Sequence, residues 1–140
     1  DMGDLDDDLY DRITALSEEG NEFADEEKYQ EALLKFSEAL DLVPIPKIDW
    51  EASLWLFASI GDMYFSLEEY QKASDSFFDA LNCPDGQINA FVHLRLGESL
   101  YEIGLKDKAK EHLLQAYMLE GEEMFSEQEP KYFQLIKDII

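Results

Sequence analysis

Apolar and small residues recur along this chain at intervals of three and four. Ala32, Phe36 and Ala39 are spaced 4 then 3, and so are Ala73, Phe77 and Ala80, and again Ala109, Leu113 and Ala116. That spacing puts each triplet on one side of an α-helix. Twelve residues before the first member of each triplet stands a glycine: Gly20, Gly61 and Gly97. Around these lie Leu16 and Phe23, Phe57 and Tyr64, and His93, Leu96 and Leu100. The pattern predicts an all-α chain of three repeated units, each a pair of antiparallel helices. The glycines belong where the first helix crosses its partner, and Ala32, Ala73 and Ala109 keep the second helix equally close. Phe23, Phe36, Tyr64 and Phe77 are expected between neighbouring units. A lone helical hairpin cannot cover its apolar face, so the units must stack into a solenoid.

Local signals set the boundaries. Pro44 and Pro46 break the chain after the first unit, and Pro84-Asp85-Gly86 reads as a turn after the second. Ser66-Leu-Glu-Glu69 reads as a capping box opening the second helix of unit two, and Gly104 as a helix stop in unit three. Ser126 to Glu129 followed by Pro130 opens a last helix, with Tyr132, Phe133, Leu135, Ile136, Ile139 and Ile140 as its apolar residues. The organisation expected is a flexible acidic stretch over residues 1–8 and one domain over 9–140. Its repeats run about 13–46, 54–87 and 90–123, and a capping helix runs about 127–140. The glycines are 41 and then 36 residues apart, so the connections near Asp41–Trp50 and Cys83–Asn89 carry the extra length.

Charge changes the picture next. The 140 residues include 33 acidic and 11 basic ones, a net charge of −22, yet 46% are hydrophobic, which is too apolar for a disordered acidic segment. An acidic surface around a real core disfavours nucleic acid and anionic membrane and favours basic proteins as partners. No apolar run approaches a membrane span and no leader is visible. The single Cys83 cannot form an internal disulfide, which fits a cytoplasmic setting.

Candidate chemistry is sparse. His93 sits at a repeat position and reads as packing between helices; His112 reads as surface or half-buried. Neither has a second His or Cys at ligand spacing, so no zinc site is expected. Asp4 to Asp8 opens like a calcium loop, but Leu9 and Ala15 stand where that loop needs Gly and Glu. No phosphate loop or nucleophile motif is present. The chain is therefore expected to be no enzyme and to need no metal or cofactor.

The repeated positions resemble the tetratricopeptide repeat (TPR) family over about residues 13–121. Repeat three departs most, with His93 for a large apolar residue and Leu100 for a tyrosine. The resemblance implies three helical hairpins plus a capping helix, a binding groove lined by the first helix of each hairpin, and a monomer or weak dimer. By alignment the groove holds Asn21, Trp55, Ser59, Asp62, Phe65, Phe91, Arg95, Glu98, Tyr101 and Glu102. Asn21 and Arg95 match part of the family's carboxylate clamp, but Ser17 and Phe91 replace its lysines and Asp62 its second asparagine. The groove thus reads as aromatic and acidic, suited to a basic partner, and Asp62→Lys is expected to leave the fold intact. The segments WLFASIGDMY, NAFVHLRLGESLYEIG and GEEMFSEQEPKYF are similar to short acidic bacterial TPR immunity proteins that neutralise toxins. Type III secretion chaperones of the same architecture, or a peptide-binding scaffold, are the alternatives.

Overall fold

The computed structural model describes residues 5–140, and among these there are helices and no strand. Three antiparallel hairpins follow one another: α1 (Asp7–Asp25) with α2 (Tyr29–Leu42), α3 (Glu51–Ser66) with α4 (Tyr70–Leu81), and α5 (Ala90–Glu102) with α6 (Lys106–Glu120). A short α7 (Pro130–Ile136) closes the series against α6. α2 packs on α3 and α4 on α5, so the hairpins stack as the sequence pattern predicts.

Each hairpin closes around its glycine. A Cβ on Gly20 would come within 2.7 Å of the Phe36 ring, one on Gly61 within 2.9 Å of the Phe77 ring, and one on Gly97 within 2.7 Å of Leu113. The same large side chains reach into the next unit. Phe36 clusters with Ile60 and Met63, Phe77 with Val92 and Leu96, and Leu113 with Phe125, Tyr132 and Ile136. Phe36 and Phe77 are essentially fully buried, and burying each contributes roughly 1.5–3 kcal/mol. The apolar core is therefore a seam running through the stack rather than a central ball.

The three turns inside the hairpins are copies of one another. Glu27, Glu68 and Gly104 take left-handed φ values of 60°, 60° and 88°. The amides of Lys28, Glu69 and Leu105 each donate back to Phe23, Tyr64 and Leu100 carbonyls at 2.9 Å. This is the Schellman arrangement, which satisfies the last carbonyls of the first helix while reversing the chain. It replaces the expected capping box in unit two: Ser66 ends α3, and α4 starts after Glu69 without a side-chain cap. Ser66 still belongs to the last turn of α3, so it cannot be the residue that caps α4.

The longer connections also have work to do at helix ends. Residues Lys47–Asp49 form a 3-10 turn, and the Lys47 ammonium donates to the Leu40 and Val43 carbonyls at 2.9 and 2.7 Å. A cation there satisfies open carbonyls and faces the negative end of the α2 dipole. Between units two and three, Gly86 is buried where a Cβ would strike the Ala80 and Leu81 carbonyls, and Asn89 caps α5 by accepting from the Val92 amide at 3.0 Å. At the other end, residues 1–4 of the expected flexible stretch lie outside the described residues. Asp6 caps α1 through the Leu9 amide, and Asp7 and Asp8 are already in its first turn, so the helix begins before residue 9.

Candidate binding groove

α3 and α5 supply most of the candidate groove side chains. Trp55 and Phe91 stand 37% and 40% exposed, large aromatic surfaces held by rigid helices, and Ser59 is half-buried. Phe91 meets the buried Phe77 edge-on at 6.3 Å, which fixes its ring. Asn21 is exposed on α1 and makes no hydrogen bond to any of the other groove candidates.

The polar members are not free. Arg95 donates from Nε to Asp62 Oδ1 at 3.0 Å, and from one terminal nitrogen to Glu98 Oε1 at 2.8 Å and Gln128 Oε1 at 2.9 Å. Its guanidinium lies over the Phe65 ring at 4.8 Å and the Phe91 ring at 5.5 Å. One side chain thus ties α3, α5 and the segment before α7 together. Burial opposes its charge, but Asp62 and Glu98 outweigh that and raise its pKa. Glu98 is fully buried and its Oε2 has no partner. Burial raises its pKa to about 7, against the pull of Arg95; Asp62 and Glu129 push it further the same way.

Glu102 is engaged as well. Its Oε2 accepts from the Tyr132 hydroxyl at 2.6 Å and from Lys131 Nζ at 2.7 Å. Burial works against its charge, but these two donors win and hold it below the usual glutamate range. Burial and then Glu102 raise the Tyr132 phenol. Tyr101 stacks edge-on with Tyr132 at 5.4 Å and has the Lys106 and Lys131 ammonium groups over its face. Phe65 is half-buried and meets Tyr70 edge-on at 5.2 Å.

Two expectations change as a result. Asp62 and Glu102 are structural counter-ions for Arg95 and Lys131, and Glu98 is a buried hydrogen-bond partner of Arg95; none is an open carboxylate waiting for a partner. Asp62→Lys, expected to spare the fold, would set an ammonium beside the Arg95 guanidinium and lose the contact between α3 and α5. The alignment missed Gln128, Lys131 and Tyr132 because they come from more than 25 residues away in sequence. One signal was present: Asp62 and Glu98 each follow a repeat glycine, so stacking puts them in matching places, with Arg95 one helical turn before Glu98.

The remaining titratable candidates are internal too. His93 is buried, and its Nε2 lies 2.9 Å from the Gln87 carbonyl, so that nitrogen carries the proton. His93 Nδ1 and His112 Nδ1 lie 3.1 Å apart, so one of the two rings donates and the other accepts. Burial, and then His93, lower the His112 pKa. The Cys83 thiol is buried, donates to the Asp79 carbonyl, and is pushed up to about 11, too high for a reactive thiolate at neutral pH. No cluster of three metal-ligating side chains occurs among the described residues, and none of their helices is long and apolar enough to cross a membrane.

Solved structures of similar shape decide what this geometry is. The C-terminal TPR-containing domain of a putative FK506-binding protein of Plasmodium falciparum matches with a TM-score of 0.75 and 22% identity, over 96% of this chain and 89% of that one. The chain has the tetratricopeptide-repeat fold. The second TPR domain of human RPAP3, in complex with the HSP70 peptide SGPTIEEVD, matches at 0.72 and 16% identity, over 93% of this chain and 96% of that one. The first TPR of Spaghetti (RPAP3), bound to the HSP90 peptide SRMEEVD, matches at 0.70 and 16% identity, over 91% and 90%. In sequence, human tetratricopeptide repeat protein 12 is 32% identical over 80 residues, and the chain spans about a tenth of its length. No family model matches. Against this fold the aromatic pair Trp55 and Phe91 lies on the first helices of hairpins two and three, while Arg95, the candidate clamp cation, is neutralised and covered by Gln128.

Proposed function

We propose that this chain is a non-enzymatic protein-binding module whose partner is a basic protein. The observation that carries the reading is the exposed pair Trp55 and Phe91 on a face where Arg95 and Lys131 are already consumed by internal carboxylates. Large rigid aromatics are the residues that dominate interface energetics. A net charge of −22 steers cationic partners toward them. Arg95 and Lys131, paired with internal carboxylates, are not free to grip an acidic chaperone tail.

The most specific form of this reading is an immunity protein that binds and blocks a basic toxin domain. The exposed aromatics suit a secretion chaperone holding an apolar segment equally well. Capture from the native lysate at physiological salt, with wild type beside Trp55→Ala and Phe91→Ala, tests the module itself. Both side chains are exposed, so the variants should fold, and each should cost the complex about 2 kcal/mol, a roughly 30-fold weaker affinity. Equal capture by all three proteins would refute the groove. A retained basic protein that kills cells when made alone supports immunity; a secreted apolar protein held through a short segment supports the chaperone.

A further inference from the structure

Two cavities meet at the α7 end of the stack. One, of about 630 Å³, has Ile88, Phe91 and Met124 among its lining residues, with Glu120 on its rim. The other, of about 490 Å³, has Phe125, Pro130 and Phe133, with Glu122. Glu123 and Ser126 line both, so the two adjoin at the 3-10 turn Glu122–Phe125 as a two-part trough. No Lys or Arg lines either part.

The trough's charge is uncompensated. Glu120, Glu122 and Glu123 form no ion pair with any described Lys or Arg, whereas Asp62, Glu98, Glu102 and Glu129 all do. Gln128, which also lines the second cavity, is held by Arg95. The fold therefore spends its nearby cations beneath the groove and leaves three carboxylates open beside an aromatic floor. Trp55, Ser59 and Asp62 line neither cavity, so this surface is largely apart from the aligned groove and meets it at Phe91 and, through Gln128, at Arg95.

We propose that this trough is the seat of a partner segment carrying one bulky apolar side chain flanked by lysines or arginines. The anchor fills the aromatic floor and excludes water, which strengthens the charge pairing at its rim. The cations meet Glu120, Glu122 and Glu123, which no internal group neutralises. An acidic or C-terminal carboxylate segment would meet those same three charges and be repelled. The inference rests on the basic-partner reading and names where and how that partner docks.

A short synthetic lysine-rich peptide with a central tryptophan is the probe, beside one with alanine for tryptophan and one with glutamate for lysine. Affinity is read by fluorescence anisotropy at physiological salt, and the site by backbone amide shifts. The tryptophan peptide should bind, with shifts centred on Glu123, Met124 and Ser126. The alanine peptide should bind about tenfold more weakly and the glutamate peptide not at all. The double variant Glu120→Lys with Glu123→Lys should also weaken binding about tenfold or more; if it fails to fold, Glu123→Gln with an unchanged circular dichroism spectrum replaces it. Shifts centred on Trp55 and Ser59, with the Glu120 and Glu123 variant binding normally, would overturn the trough and leave the proposed function standing. Equal binding of the alanine peptide would show charge attraction alone and overturn it too. No binding of either cationic peptide would overturn it, while the capture experiment would still decide the proposed function separately.

Discussion

At the residue scale the left-handed turn position is the most instructive. Glu27, Glu68 and Gly104 do one job, and only the third has the residue that does it without strain. A residue with a Cβ pays about 1 kcal/mol to sit there, from which glycine is exempt. Glu68→Gly should therefore raise stability by roughly 0.5–1 kcal/mol, and Gly104→Ala should lower it by about as much, both read from urea midpoints with unchanged slopes. The second change meets no atom within 4 Å, so any loss is conformational and not a clash. Gly61 is the opposite case: its φ is ordinary, but a side chain there collides with Phe77. Gly61→Leu should cost about 1–3 kcal/mol or more through overpacking in a urea titration.

At the element scale the Arg95 link between α3, α5 and the segment before α7 has one buried carboxyl beside it. The folded chain holds Glu98 near pH 7, above the ordinary glutamate range, so the folded state keeps this proton more tightly than the unfolded chain. Its contribution is complete below about pH 4.5 and is lost as pH rises through 7. Over that interval it amounts to roughly 3 kcal/mol. Glu98→Gln removes the titration, so the stability difference between pH 5 and pH 8 should shrink by up to about that amount relative to wild type in parallel urea titrations. The groups facing Glu98 are Arg95, Asp62 and Glu129, and none of them is changed by this substitution. This element also marks what the sequence could and could not convey. Glycine, alanine and aromatic spacing announced the hairpins, because helix faces are periodic. The pairing of Arg95 with Asp62 and Gln128 was harder to read, because each partner lies 33 residues away and meets it only once the hairpins stack. The same holds for Lys47 at the end of α2: the extra residues were visible as length, and their role as a helix cap was not.

At the scale of the whole molecule, excess negative charge opposes the compact state and is only partly offset by the ion pairs. Raising sodium chloride from low ionic strength to about 0.3 M shortens the Debye length to roughly 5–6 Å, so thermal unfolding should move upward by several degrees even as attraction to a cationic partner weakens. The two opposite responses separate the charges that burden the fold from those that recruit the partner. The Arg95 cluster has a further consequence. The hairpins share similar interfaces of glycine, alanine and one large apolar side chain (Phe36, Phe77 or Leu113), so those contacts alone fix their order weakly. A half-buried guanidinium with Asp62 before it, Glu98 beside it and Gln128 after it is satisfied by this order of hairpins. That side chain acts as an address, distinguishing correctly ordered modules from shuffled ones that would bury nearly the same greasy surface.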